Sequence, residues 1–395
     1  MEKKTVRDID VNGKRVLVRV DFNVPIDEKT GRIMDDSRIQ ASMPTIQYLL
    51  NHAARVILCS HLGRPKGKPE AKYSLRPVVA RLSGMVGKPV AFSPDCVGPE
   101  AEKAVAKLRN GDVLLLENVR FHAEEETGDD GFARALASLA EVYVDDAFGT
   151  AHRNHVSIVG VPRYLPAVAG LLLEKELATL GGLLEHPVHP FAALLGGAKV
   201  SDKVALMQNM LGKLDILMIG GGMAATFLKA SGTAVGKSMI EGELLEVASM
   251  ITKTALANGP RLILPVDVVV TDSVSEKGSY QVVLIDQVPA DKMIVDIGPQ
   301  TVQRFGTELA KCKTIFWNGP MGVYEIPQFV EGTQAMASVI ATVKAASIIG
   351  GGSTAEFVIN QGLAGKMTFV STGGGASMSF LSGEKMPGVE ALLDK

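Results

Sequence analysis

Val56-Ile57-Leu58-Cys59-Ser60-His61-Leu62-Gly63-Arg64-Pro65 sets the fold class. It opens with a short β-branched apolar run, breaks into a turn carrying glycine and proline, and gives way to a segment of helical period. The same unit recurs in the first half at Val16-Leu17-Val18, Val90-Ala91-Phe92, Val113-Leu114-Leu115-Leu116 and Val142-Tyr143-Val144. In the second half it recurs at Ala192–Leu195, Ile216–Ile219, Leu262–Leu264, Thr314–Trp317, Ser347–Ile349 and Thr368–Val370. Strands alternating with helices make a parallel sheet. The chain therefore reads as α/β, with two doubly wound, Rossmann-like parallel-sheet domains. The segment Leu171 to Leu184, with Glu174, Lys175 and Glu176 in an otherwise apolar pattern, reads as one hinge helix joining them, ended by Gly181-Gly182 and Pro187.

The length of 395 residues suits two domains, and 46% hydrophobic with 21% charged residues describes a folded soluble protein. The net charge of −2 provides no broad basic field, so a nucleic-acid partner is not expected and any anion site must be a local cluster. Cys59, Cys96 and Cys312 lie far apart with no CxxC pair, which suggests neither a disulfide framework nor a zinc knuckle. The N-terminus lacks the apolar core of a signal peptide, and no stretch reaches the roughly 18 apolar residues of a membrane span. A cytoplasmic protein with no membrane association is expected.

The halves divide labour. Of 16 arginines, 14 precede residue 171, whereas 28 of 41 glycines lie from residue 171 onward. Ligands of open α/β sheets bind outside the carboxyl ends of the strands. In the first half those ends carry Asp21 and Asn23, then His61 and Arg64, then Arg120, joined by Arg38 and His152-Arg153. One arginine alone fits a surface ion pair, but recurrence at strand ends fits a small metabolite bearing carboxylate and phosphate, which guanidinium groups grip bidentately. His122 and His155 show no such pattern and read as structural or solvated.

In the second half three triple-glycine loops follow strands and lead into helices: Gly220-Gly221-Gly222, Gly350-Gly351-Gly352 and Gly373-Gly374-Gly375. Successive glycines admit phosphate closely, and a helix start offers free N–H donors. The first loop also satisfies a GxGxxA fingerprint with Glu241 at the place of a ribose-binding acid, so a nicotinamide dehydrogenase is the alternative, although it leaves the arginine cluster unexplained. Lys199 and Lys203, at i and i+4 after a strand, are expected on one helical face. Glu325 ends another glycine-rich turn as a candidate ribose ligand.

Arg19-Val20-Asp21-Phe22-Asn23-Val24-Pro25, Ser60-His61-Leu62-Gly63-Arg64-Pro65, Glu117-Asn118-Val119-Arg120-Phe121, Gly196-Gly197-Ala198-Lys199-Val200, Asn318-Gly319-Pro320-Met321-Gly322 and Ser371-Thr372-Gly373-Gly374-Gly375-Ala376-Ser377 run in this order along essentially the whole chain. As a set they resemble the phosphoglycerate kinase family. The resemblance implies that Asp21, Asn23, Arg38, His61, Arg64, Arg120 and Arg153 bind 3-phosphoglycerate. It further implies that Lys199, Lys203, Gly298, Glu325 and the loop Gly351-Gly352-Ser353-Thr354 serve the nucleotide and the transferring phosphoryl group. The implied organisation is a substrate domain over residues 1–170, a hinge helix over 171–186, a nucleotide domain over 187–378 and a tail over 379–395 returning to the first domain. The family is mostly monomeric. This sequence departs from the family's pattern at Ser353, where an Asp usually ligates magnesium, at Ser379 in place of a Glu, and at Ala225 in place of an aromatic.

The implied reaction is 1,3-bisphosphoglycerate plus MgADP giving 3-phosphoglycerate plus MgATP by in-line transfer. The carboxylate nucleophile of the reverse direction is already ionised, so no general base is required and catalysis reduces to positioning and charge stabilisation. Arg38 and Lys199 are the expected partners of the transferring charge, helped by Lys203 and the backbone of Gly374 and Gly375. Donor and acceptor would bind on different domains, so domain closure is expected to bring them together. Magnesium would be held at Ser353 or Glu356. Ser353-Thr354-Ala355-Glu356 also has the S-x-x-E form of a capping box, the reading favoured for Glu356.

Overall fold

The computed structural model describes residues 2–395. Its contacts divide the chain into two compact units, Met1–Ala178 with Lys385–Lys395, and Thr179–Glu384.

The first unit is built on six parallel strands: β1 (Arg15–Arg19), β2 (Arg55–Cys59), β3 (Ala91–Phe92), β4 (Val113–Leu115), β5 (Val142–Asp145) and β6 (Ala167–Ala169), in the order β3-β4-β2-β1-β5-β6. Val16 of β1 stands opposite Val56 of β2 and Val142 of β5. These strands read as continuous apolar runs because both faces of the sheet are buried. Val16, Leu17 and Val18 are all inaccessible, and Ile39, Ile46 and Leu49 of the helix Ser37–Asn51 pack into the core that Val16 and Val18 share. Burying each such side chain contributes roughly 1.5–3 kcal/mol. The C-terminal residues belong to this unit: Lys4 N donates to Leu393 O at 2.8 Å, Leu393 N to Ala167 O at 3.0 Å and Gly388 N to Ala151 O at 2.8 Å. A Cβ at Gly388 would strike Ile158 and the Ala151 backbone, so only glycine permits this approach. The expected tail boundary at 379 falls inside the helix Gly375–Leu381, and the chain joins the first unit from Lys385.

The second unit carries another six-stranded parallel sheet, of β7 (Phe191–Leu195), β8 (Ile216–Ile219), β9 (Arg261–Ile263), β13 (Thr314–Asn318), β14 (Ala346–Gly350) and β15 (Phe369–Val370), ordered β15-β14-β13-β7-β8-β9. Between β9 and β13 the chain forms a separate antiparallel sheet, β10 (Asp267–Thr271), β11 (Tyr280–Leu284) and β12 (Met293–Ile297), with β10 in the centre. It departs from the βα alternation, and its own small core is Val269, Val295 and Phe329.

Three local expectations are corrected. The helix Leu171–Glu185 runs through Gly181-Gly182 instead of ending there. A glycine costs about 1 kcal/mol in a helix interior, but Leu173, Leu180 and Leu183 are buried along one side and hold it. Lys199 and Lys203 do not share a helical face: residues 198–200 are irregular, Ser201–Lys203 is a 3₁₀ turn, and the α-helix begins only at Val204. The capping box does not form either. The helix Gly352–Asn360 is preceded by Gly351 at φ +87°, no side chain caps it, and Ser353 already lies in its first turn.

Candidate active site

At the carboxyl edge of the first sheet the sequence-predicted residues converge. Asp21 follows β1 and takes the Arg38 guanidinium at 2.5 Å. Asn23 Oδ1 accepts from Gly63 N at 2.9 Å, while Arg120 Nη1 donates to Gly63 O at 2.8 Å, so the turns after β1, β2 and β4 are tied through one glycine. His61 is buried, and its imidazole is held well below its ordinary pKa, first by burial and then by the charges of Arg19, Arg120, Arg38 and Arg153. Four guanidinium groups therefore surround one neutral ring. Burial, reinforced by Arg19, pushes Arg120 down to about 10. Arg120 Nη2 and Arg153 Nε are buried with no hydrogen-bond acceptor. A buried unsatisfied donor costs about 1–3 kcal/mol, which an incoming oxyanion would relieve. Arg64 stands beside this cluster with its side chain exposed.

Arg19 was not singled out as a ligand by its position, yet it orders the site. It is inaccessible at the end of β1, and its Nε donates to Ser157 Oγ at 2.8 Å, its Nη1 to Val20 O at 2.5 Å and its Nη2 to His61 Nδ1 at 3.1 Å. Because guanidinium can only donate, Nδ1 of His61 accepts and the neutral ring keeps its proton on Nε2, available to an anion. Glu125, fully buried, accepts from Ser157 N and Oγ at 2.8 and 2.6 Å and balances the charge of Arg19 behind the pocket. His155 lies 3.9 Å from Glu125, and burial followed by Arg120 pushes it down to about 4. The signal for Arg19 was present, a charge inside an apolar strand run; nothing local marked Glu125 or His155.

In the second unit, Gly196, Gly220–Gly222, Gly319, Gly351–Gly352 and Gly373–Gly375 all lie just beyond strand ends. Their glycines serve two different purposes. Gly221 (φ +65°) and Gly319 (φ +95°) pack backbone on backbone against Gly197 and Gly196, where any Cβ would collide. The loop Gly220–Gly222 is thus a packing device. Glu241 accepts from Val200 N at 2.5 Å, Ser201 N at 3.0 Å and Ser201 Oγ at 2.5 Å. It holds the turn after Lys199 and is not free for a ribose, which removes both halves of the dinucleotide fingerprint. By contrast, a Cβ at Gly352, Gly374 or Gly375 would meet nothing within 4 Å, so these positions face open space.

Lys203 is buried and its Nζ donates to Asn318 Oδ1; burial pushes it down to about 8. Lys199 is exposed on the loop that Glu241 secures. Thr354 Oγ1 accepts from Gly319 N at 2.7 Å, joining the turn after β13 to the helix after β14. Gly298 precedes the helix Pro299–Leu309, whose first amides Gln300 N and Thr301 N are satisfied by Asp267 at 3.0 and 2.7 Å. Glu325 and Glu356 are exposed.

Fold and edges together define an α/β protein whose two sheets end in contrasting carboxyl edges, one rich in guanidinium and one in open backbone and lysine. The family model for phosphoglycerate kinase matches residues 6–384. Full-length relatives named phosphoglycerate kinase include those of Pelotomaculum thermopropionicum, 54% identical, and Moorella thermoacetica, 52% identical, each alignment covering 100% of both chains. Among solved structures, phosphoglycerate kinase from Coxiella burnetii superimposes with a TM-score of 0.88 at 40% identity, and that from Pyrococcus horikoshii with 0.83 at 32%, each over 98% of both chains. The chain belongs to the phosphoglycerate kinase family. It is a phosphotransferase that uses a carboxyl group as acceptor, passing a phosphoryl group reversibly between 1,3-bisphosphoglycerate and ADP.

Proposed function

We propose that 3-phosphoglycerate or its 1,3-bisphosphate sits at the carboxyl edge of the first sheet, held by Asp21, Asn23, Arg38, His61, Arg64, Arg120 and Arg153. The observation that carries this assignment is the pair of buried, acceptor-less donors on Arg120 and Arg153 beside the neutral His61. ADP or ATP belongs at the carboxyl edge of the second sheet, on Gly351, Gly352, Ser353 and Thr354, with Gly298 and Glu325 toward the nucleoside. Residues 1–170 with the tail form the substrate domain and residues 187–378 the nucleotide domain.

Arg38 and Lys199 then neutralise the transferring group, with Lys203 and the open backbone of Gly374 and Gly375 completing its surroundings. Asp21 pairs with Arg38 at rest, so an arriving phosphoryl oxyanion exchanges one anionic partner for another without leaving the guanidinium bare. Direct transfer requires the two ligands to reach in-line contact during turnover, with helix 171–186 as the connecting segment.

Magnesium would enter with the nucleotide and supply charge neutralisation to its phosphates. The residues present fit a weakly held ion: Ser353 offers an exposed neutral oxygen in the first helical turn and Glu356 an exposed carboxylate one turn further on. Magnesium commonly keeps several waters and takes few protein ligands. Three buried, unpaired cysteines suit a reducing, cytoplasmic compartment, and no helix among the described residues is long and apolar enough to cross a membrane.

Calorimetric titration of each ligand alone tests the assignment. Arg120→Met should weaken 3-phosphoglycerate at least tenfold and leave ADP unchanged, and Lys203→Met should do the reverse. Unchanged 3-phosphoglycerate affinity in Arg120→Met would remove the substrate from this edge.

A further inference from the structure

β3 and β4 pair in parallel, Ala91 opposite Leu114 and Phe92 opposite Leu115, so the loops leaving their carboxyl ends run side by side. The first is Ser93–Val97; the second continues through the 3₁₀ turn Val119–Phe121 to His122. Together they gather one nitrogen, one sulfur and one oxygen donor: His122, Cys96 and Asp95 offer ligand atoms that all lie within 4.8 Å of one another. None of the three belongs to the substrate pocket described above.

The trio is held in place. Asp95 Oδ1 accepts from Cys96 N at 2.7 Å and lies 2.7 Å from His122 Nε2, while Ser93 Oγ donates to Asp95 O at 2.6 Å. The His122 ring stacks on Phe132 at 5.1 Å between centroids, which sets its plane. Asp95 and His122 also line a cavity of about 660 Å³, whose walls include Arg76, Pro94, Glu117 and Phe121. Cys96 is buried behind them.

We propose that Asp95, Cys96 and His122 form a binding site for one zinc ion, distinct from the magnesium that accompanies the nucleotide, with its fourth coordination position open to the adjoining cavity. Three protein ligands of mixed type and one open position suit zinc, which accepts cysteine sulfur, histidine nitrogen and carboxylate oxygen in tetrahedral geometry. Magnesium, a hard cation that prefers oxygen, is disfavoured by the thiol. Without a cation, burial and then the Asp95 charge keep the Cys96 thiol protonated. On binding, the S–H bond breaks, its proton passes to solvent, and a sulfur–zinc bond forms; the metal's charge drives that loss. The His122–Asp95 hydrogen bond opens in the same step: the proton that Nε2 shares with the carboxylate transfers through solvent to Nδ1, which keeps the ring neutral and frees the Nε2 electron pair, and the carboxylate oxygen turns to the ion. Thiolate and carboxylate together neutralise the dication, so the partly buried centre carries no net charge.

The test uses the full chain, stripped by chelator and free of nucleotide, titrated with Co²⁺ as a spectroscopic stand-in and then with Zn²⁺. The expected result is one Co²⁺ per chain with a near-ultraviolet thiolate-to-cobalt charge-transfer band, discharged stoichiometrically by Zn²⁺. Cys96→Ser should abolish the band, Asp95→Asn and His122→Gln should each weaken Zn²⁺ at least tenfold, and Cys312→Ser should change neither. Absence of the band, its persistence in Cys96→Ser, or unaltered Zn²⁺ affinity in His122→Gln would overturn the proposal. Should Cys96→Ser fail to fold, the two exposed-side variants decide it alone, with circular dichroism confirming their fold.

Discussion

Lys203 donates through Nζ to the side-chain oxygen of Asn318, a neutral partner, at a residue exposure of only 9%. An ammonium so placed lacks the carboxylate that buried charges usually require. Burial pushes it from 10.5 to about 8, and a displacement of that size costs roughly 3 kcal/mol of folding stability. The folded pKa lies below the unfolded one, so the cost is fully present below about pH 8 and is relieved as pH rises from there to 10.5. Lys203→Met should therefore raise the melting temperature at pH 7 while lowering turnover at least a hundredfold. Its stabilising advantage should shrink as thermal unfolding is followed up to pH 10. A variant destabilised at pH 7 would show that the lysine charge is compensated in the free protein.

Arg38 meets Asp21 at 2.5 Å through Nη1. Replacing its planar fork by a point charge in Arg38→Lys keeps the ion pair and the net charge but loses bidentate contact with an oxyanion. Steady-state kinetics should show kcat falling at least tenfold with nucleotide KM within about twofold, the signature of an interaction made in the transition state. Near wild-type kcat would take Arg38 out of the catalytic group.

Ser353 is exposed in the first turn of its helix and Glu356 lies one turn further on. Since no capping box forms, Glu356→Gln should change stability by less than about 0.5 kcal/mol, as surface substitutions do. Titrating magnesium against rate separates the two as ligands. Ser353→Asp should lower the magnesium concentration for half-maximal rate several-fold, and a large increase in Glu356→Gln would assign the ion to Glu356.

Asp296 caps the helix Glu331–Ile340, accepting from Gly332 N at 2.7 Å and from Ile297 N at 2.8 Å. Burial is the main cause pushing its carboxyl from 3.8 up to about 7. Here the folded chain holds a proton that the unfolded chain has released, so this group's contribution to stability falls as pH rises from about 4 to 7. Asp296→Asn removes that dependence at the cost of one cap hydrogen bond, about 1 kcal/mol. Denaturant unfolding should show the wild-type advantage over Asp296→Asn shrinking between pH 5 and pH 8, by up to roughly 3 kcal/mol. A gap independent of pH would place the carboxyl in its ordinary range.

Local chemistry in the sequence already determined the α/β class, eleven of the twelve parallel strands among the described residues and the arginine-bearing turns, because apolar period and turn residues act over a few neighbours. Arg38, His61 and Arg120 were legible for the same reason, each following a strand or opening a helix. What the sequence could not express was which backbones touch. The glycines of 220–222 look like a phosphate loop, yet Gly221 is glycine because Gly197 lies against it. Glu241 matches a ribose acid in spacing but is consumed by Val200 and Ser201. Gly181-Gly182 should end a helix by propensity, and the burial of Leu173, Leu180 and Leu183 overrides them. Arg19, Glu125 and Ser157 are separated by more than a hundred residues at their extremes and form one buried hydrogen-bonded group only after β1 and β5 pair. Charge inside a protein is paired by whatever folding brings within reach, and that proximity is a property of the tertiary structure alone.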